Sequence, residues 1–113
     1  EHSELSYPRV IKSDKSSELF SEEKIKKGVN LALEKRINPI EDIENTFENI
    51  FQKCLTFTEK EISSKHIGEI VMNELLGLDH VAYLRFASVY LNFENKDSFT
   101  KIIKNLEKDL SNG

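Results

Sequence analysis

Six cations, Arg9, Lys12, Lys15, Lys24, Lys26 and Lys27, fall within nineteen residues near the start of this chain. Lysines carried by a hairpin and by the first turn of the following helix can converge on a polyphosphate, helped by the backbone amides at that helix start. Lysines on a helix surface are also commonly just solvated, so the residues alone leave both readings open. Other chemistries have less behind them. A nucleophile needs Ser or Cys beside a histidine, but His2, His66 and His80 stand in unrelated polar settings and read as surface residues. No His or Cys cluster has the spacing of metal ligands, and there is no CxxC pair. The four glycines, at 28, 68, 77 and 113, build neither a Walker loop nor a dinucleotide fingerprint. The paired acids Glu22 with Glu23, and Glu59 with Glu61, lie in stretches that read as solvated turns rather than as general acid and base. Cys54, between Phe51 and Leu55, reads as a small core hydrophobe.

The elements that must position these residues follow from apolar spacing. Tyr7 to Phe20 carries β-branched Val10 and Ile11, a polar run from Ser13 to Ser17, then Leu19 and Phe20, which predicts a small β-hairpin. Ser21 is placed to cap a helix whose first turn holds Glu22 and Glu23 and whose inner face is Ile25, Val29, Ala32 and Leu33. Gly28 inside it costs about 1 kcal/mol relative to Ala and so points to a close backbone approach. A second helix is predicted from Asn38 as cap and Pro39 as first residue, with a stripe of Ile40, Ile43, Phe47, Ile50 and Phe51. A third starts at Ser63 or Ser64, carries Ile67, Ile70, Val71 and Leu75, and stops at Gly77 as a left-handed cap. Asp79 caps the fourth, Val81 to Phe93, whose inner face is Ala82, Phe86, Val89, Tyr90 and Phe93, flanked by Tyr83 and Leu84. Asp97 or Ser98 opens a fifth with Phe99, Ile102, Ile103, Leu106 and Leu110 at helical spacing. The pattern is a mainly α fold, a four-to-five-helix bundle fronted by a small hairpin.

Composition bounds the function classes. The chain has 113 residues, 38% hydrophobic and 32% charged, which suits one domain with a modest core. Its 16 Lys and Arg against 20 Asp and Glu leave a net charge of -4, the wrong sign for holding duplex phosphates unaided. No apolar run approaches the roughly 20 residues of a membrane span, and no signal peptide opens the chain; a soluble, cytoplasmic domain with no membrane partner is predicted. The lone cysteine fits a reducing compartment. The chain opens at Glu1 rather than Met, as a piece of a longer product does.

The string Val81-Ala82-Tyr83-Leu84-Arg85-Phe86-Ala87-Ser88-Val89-Tyr90, with Phe93 shortly after, resembles the signature of the ATP-cone domain. It is joined in order by Pro8-Arg9-Val10-Ile11-Lys12-Ser13, Phe20-Ser21-Glu22-Glu23-Lys24, Ala32-Leu33-Glu34-Lys35-Arg36 and Ser64-Lys65-His66-Ile67-Gly68-Glu69-Ile70-Val71-Met72. The likeness covers residues 8–98. Glu1 to Leu5 is similar to the segment that joins a zinc ribbon to the cone in the NrdR family of bacterial transcriptional repressors of ribonucleotide reductase genes. Residues 1–7 then read as a linker remnant and 99–113 as a C-terminal helix and tail. Cones also stand at the amino terminus of ribonucleotide reductases themselves, the alternative reading. An end about twenty residues past the signature favours the repressor.

The resemblance implies a helical cone lidded by a hairpin and a non-catalytic role. ATP or dATP, with Mg²⁺, would bind as an effector whose identity sets a homo-oligomeric state and hence operator DNA binding. DNA is contacted by the zinc ribbon of the full-length repressor, whose cysteines this chain lacks, so zinc belongs to that ribbon and the fragment senses without repressing. By position, Val10, Ile11 and Lys12 bring hairpin backbone and charge to the nucleotide, and Ser13 stands where many relatives have Arg. Glu18 takes the acidic position facing the nucleotide and Lys24 the helix-one lysine on the phosphates. Tyr83 and Tyr90, seven apart and so nearly on one face, either lie near the site, lining the wall beneath it, or are simple core aromatics. Three departures bear on the lid and on contacts between cones: no glycine follows Asp14, Ser17 replaces a frequent Arg, and Leu91 replaces the Arg after the signature tyrosine. Ile37 stands in place of a usual proline.

Overall fold

Alternation around Val10 builds the first strand of the computed structural model, which describes residues 7–90. In β1 (Arg9–Ile11), Val10 is buried while Arg9 faces solvent. It pairs antiparallel with β2 (Ser17–Glu18), Val10 opposite Glu18 and Ile11 opposite Ser17. The reversal between them is held by Lys12 N–H to Ser16 O at 2.8 Å and Lys15 N–H to Lys12 O at 2.8 Å. The Asp14 carboxylate accepts from the Ser16 amide and hydroxyl, at 2.9 and 2.6 Å. Lys15 adopts φ 74°, the left-handed region that glycine occupies most cheaply.

The predicted hairpin is therefore present, but it belongs to a three-stranded sheet of order β2-β1-β3. β3 (Glu61–Ser63) runs parallel to β1 and sets Ile62, 1% exposed, beside Val10. Glu61 is thus an edge-strand residue with an exposed side chain rather than part of a turn. A three-residue strand with one apolar position is too short to show a period of two, which is why the pattern missed it.

Four helices follow: α1 (Glu22–Ala32), α2 (Ile40–Leu55), α3 (Ser64–Leu78) and α4 (His80–Tyr90). Serine starts two of them. The Ser21 hydroxyl accepts the Lys24 amide at 3.2 Å and the Ser63 hydroxyl accepts the His66 amide at 3.0 Å, each satisfying a donor the helix cannot. The α2 start differs from expectation: Pro39 occupies the cap position without a side-chain bond, because the Asn38 amide is drawn across to Asp79 Oδ2 at 3.0 Å. Gly77 is not a left-handed cap either. The third helix runs on to Leu78, no glycine among the described residues has positive φ, and extended Asp79 ends the helix by donating its N–H to Leu75 O at 2.8 Å.

The core is Val29 from α1, Ile50 and Cys54 from α2, Val71 and Leu75 from α3, Ala82 from α4 and Ile62 from the sheet, all at most 1% exposed. Cys54 is buried as predicted, and burial pushes its thiol up to about 11. Two residues of the predicted inner stripes lie outside: Ile40 is 74% and Val89 81% exposed. Ile40 is the first residue of its helix, and Val89 keeps the helical line of Ala82, seven residues before it, but in the last turn of α4 it lines an open groove between α1 and α4 instead of entering the core. A glycine lets α4 approach α3 closely. A Cβ on Gly28 would sit 3.4 Å from Phe86 Cε1, and one on Gly68 only 2.1 Å from Tyr90 Cζ. A Cβ at Gly28 would make an ordinary van der Waals contact, so the close approach predicted there is found instead at Gly68. No helix among the described residues is long and apolar enough to cross a membrane; the fifth predicted helix and Phe93 lie outside them.

Candidate functional site

The hairpin and the first turn of α1 bring three charged side chains together. Lys24 Nζ lies 3.0 Å from Glu18 Oε1 and Lys12 Nζ lies 3.8 Å from the same oxygen. The register explains the meeting: Glu18 ends β2 opposite Val10, Lys12 leaves the end of β1, and Ser21 fixes the direction in which α1 departs. The hydrogen bond from Lys24, then the charge of Lys12, hold the Glu18 carboxyl below the ordinary carboxylate range. Side-chain exposures of 50% for Lys12, 67% for Lys24 and 31% for Glu18 leave the triad open to water, so it adds little to stability.

Beside it lies a cleft of about 140 Å³ with an apolar floor of Val10, Phe20, Ile25 and Ile67 and a polar mouth of Glu18, Ser21, Lys24 and Ser64. Ser21 and Ser64 are the starts of α1 and α3, so the positive ends of two helices face one opening. Tyr7 braces this side, its ring stacked on Phe20 at 4.1 Å and its hydroxyl donating to Glu22 Oε2 at 2.5 Å. The floor residues Phe20, Ile25 and Ile67, and Ser64 itself, were not singled out from the sequence as site residues. The one available signal was the predicted start of the third helix at Ser63 or Ser64.

The ATP cone domain model matches residues 8–96 of this chain. The chain belongs to the ATP cone family. ATP cones are regulatory rather than catalytic domains and bind ATP or dATP as effectors. The mainly helical fold with a small sheet at its amino-terminal side agrees with that membership.

Of the six clustered cations, the cone brings only Lys12 and Lys24 to Glu18. Arg9 Nε donates instead to Ser17 Oγ at 2.7 Å, Lys26 stands 5.8 Å over the Phe51 ring, and Lys15 sits in the exposed turn. Val10 lines the cleft, half-buried Ile11 alternates to the other face of the sheet, and Ser13 is exposed at the turn. Tyr83 is partly buried against the core cluster. Tyr90 does something more specific: its hydroxyl donates to the Ser64 carbonyl at 2.9 Å while its ring stacks on Phe86 at 5.9 Å. It thus reaches from α4 to the same start of α3 that borders the cleft. Burial first, then the charge of Glu69, raise the Tyr90 phenol above its ordinary value. Among the described residues no group of three or more His, Cys, Asp or Glu is arranged to hold a metal.

Proposed function

We propose that this cone reads ATP against dATP for a transcriptional repressor of ribonucleotide reductase genes, and that the reading is made at the Lys12, Glu18 and Lys24 triad. The observation that carries the proposal is the meeting of two lysines from separate elements on one carboxylate oxygen. A triphosphate brings more charge than one carboxylate and offers several oxygens, so it can replace Glu18 as partner of both ammonium groups while the helix starts at Ser21 and Ser64 add their dipoles. The base and sugar would then lie over Val10, Phe20, Ile25 and Ile67. Ordinary small-molecule pockets measure roughly 300–1,000 Å³, so a nucleotide overfills this cleft and must meet the lid, with the Val10 and Ile11 backbone and Ser13 closing over it.

Glu18 is the one carboxylate lining the cleft among the described residues. That suits a Mg²⁺ held mainly by phosphates rather than a dedicated metal cage. Tyr90 adjoins the cleft by way of its bond to the Ser64 carbonyl, and Tyr83 packs against the core. Exchange of one effector for the other would shift the hairpin and adjoining helix faces, and with them a homo-oligomeric equilibrium, by differential affinity. Operator DNA would be bound by a zinc ribbon in the full-length protein. The likeness of Glu1 to Leu5 to the join between ribbon and cone supports the repressor over a reductase.

Calorimetric titration with ATP and dATP tests the site. Lys12→Ala and Lys24→Ala should each weaken binding by roughly 10- to 150-fold, the loss that follows from removing a charged hydrogen bond. Losses below about threefold would place both lysines in solvent. Light scattering at equal concentrations of the two effectors tests the switch, and identical particle mass would refute it. Two CxxC pairs encoded upstream of Glu1 would establish the repressor, whereas hundreds of further codons past Gly113 would establish the reductase.

A further inference from the structure

One carboxylate beside the cleft is held out of it. Glu22 is the first residue of α1, next to the Ser21 cap and two residues before Lys24, so its charge stands in the same helix-start field that draws a phosphate. A carboxylate free to swing there would compete for the amides at the helix start and repel phosphate oxygens. Glu22 is not free. The Tyr7 hydroxyl donates to its Oε2 at 2.5 Å, and Glu22 is half-buried whereas its neighbour Glu23 is exposed. Among the described residues the cleft is accordingly lined by the Glu18 carboxylate and not by that of Glu22.

The donor is itself fixed from two directions. Pro8 restricts the residue before it to extended backbone, and β1 begins at Arg9, whose N–H bonds Lys60 O at 2.9 Å, so the sheet delivers Tyr7 to this place. Its ring then stacks on Phe20 at 4.1 Å with the planes 11° apart, and Phe20 belongs to the cleft floor. We propose that Tyr7 is a positioning residue of the nucleotide site, whose hydroxyl holds the Glu22 carboxylate away from the helix start that receives the phosphates. The inference rests on the reading of the cleft as a nucleotide site and adds to it a residue outside the charged triad. Burial first, then the hydrogen bond and charge of Glu22, raise the Tyr7 phenol above its ordinary value. The hydroxyl therefore keeps its proton, and remains a donor to Glu22, at neutral pH. A hydrogen bond of this kind spares the binding site the cost of turning a charge aside each time an anion arrives.

Calorimetric titration of the full 113-residue chain with magnesium ATP tests the proposal, using Tyr7→Phe, Glu22→Gln and the two combined. Tyr7→Phe keeps the ring on Phe20 and deletes only the hydroxyl, and unchanged methyl resonances of Val71 and Leu75 establish that the bundle is intact. The released carboxylate should weaken ATP binding by about 3- to 10-fold, and the loss should shrink as salt is raised. In the Glu22→Gln background no charge is left to release, so Tyr7→Phe should there change affinity by less than about twofold. A loss of the same size in both backgrounds would overturn the proposal by making Tyr7 a structural prop. Unchanged affinity in Tyr7→Phe alone would overturn it directly. Lys12→Ala and Lys24→Ala separate these outcomes from the fate of the cleft. If both weaken ATP binding and Tyr7→Phe does not, the nucleotide site stands without Tyr7, whereas a natural chain that binds no ATP removes the site and this inference together.

Discussion

Two carboxylates in this domain each gather side chains from separate elements, Glu18 from six residues to either side and Asp79 from about forty residues away, and their difference lies in water. Glu18 draws in Lys12 and Lys24 with its side chain 31% exposed. Asp79 draws in Arg36 Nε at 3.0 Å and Asn38 Nδ2 at 3.0 Å, and its Oδ1 caps α4 by accepting the Val81 and Ala82 amides at 2.9 and 3.0 Å, with only 4% of the side chain exposed. Both look alike as ion clusters. The buried one joins three elements, the loop after α1, the end of α3 and the start of α4, and cannot exchange its partners without leaving donors unsatisfied. The open one can release both lysines to a competing anion at small cost. Burial thus separates a carboxylate that holds the fold from one suited to exchange.

The largest test of this contrast is a pair of substitutions. Asp79→Ala removes a helix cap, about 1 kcal/mol, and a charged hydrogen-bond set with Arg36 and Asn38, for a total loss of about 3 kcal/mol in urea unfolding. Glu18→Ala should leave the unfolding midpoint nearly where it was while changing nucleotide affinity. Equal effects of the two on stability would erase the distinction.

Acid sharpens it next. Burial acts to raise the Asp79 carboxyl, but the hydrogen bonds from Asn38, the Ala82 amide and Arg36 outweigh that and hold it at about 2. Because the folded value lies below the unfolded one, the contribution is fully present above about pH 4 and disappears as pH falls through 2. A shift of this size is worth about 2 kcal/mol. The difference in stability between the natural chain and Asp79→Asn should therefore shrink between pH 4 and 2, measured by urea midpoints. A difference independent of pH would mean that the charge of Asp79 contributes nothing.

What the sequence disclosed follows from range. Helix faces and caps are local, so Val29, Ile50, Val71 and Leu75 were legible by period and Ser21 and Ser63 by type. Asp79 was legible as a cap but not as the partner of Arg36 and Asn38, forty-three and forty-one residues away. That same long-range bond displaced the predicted start of α2. The parallel pairing of Ile62 with Val10 is likewise nonlocal and left no periodic trace. At the candidate site Val10, Lys12, Glu18 and Lys24 came from the family resemblance, since composition offered six equivalent cations and no reason to choose two. The apolar floor escaped because Phe20, Ile25 and Ile67 look like any core residues until the fold leaves a gap between them.

Gly68→Ala probes where the rigid region ends. The added Cβ meets Tyr90 Cζ at 2.1 Å, so the ring must leave, giving up its stack on Phe86 and its bond to Ser64. Those losses, each about 1 kcal/mol, are offset by the gain of about 1 kcal/mol from replacing a helical glycine, for a net destabilisation near 1 kcal/mol. The diagnostic readout is the Tyr90 phenol. Its raised value should return toward that of a free tyrosine in an ultraviolet pH titration. If effector affinity falls as well, the packing around Tyr90 is part of the cleft wall.

The smallest effect belongs to the turn of the lid. Lys15 holds φ 74°, a conformation that costs an L-residue about 1–2 kcal/mol, and the two backbone bonds that close the turn do not involve its side chain. Lys15→Gly removes that strain but also loosens the unfolded chain, leaving a net stabilisation of about 0.5 kcal/mol in thermal or urea unfolding. Because Lys15 lies away from Glu18, nucleotide affinity should stay within about twofold once general screening is matched by salt. A much larger loss of affinity with stability gained would show that the lid grips its ligand with three cations, and that the exchangeable region extends through the turn to the tip of the hairpin.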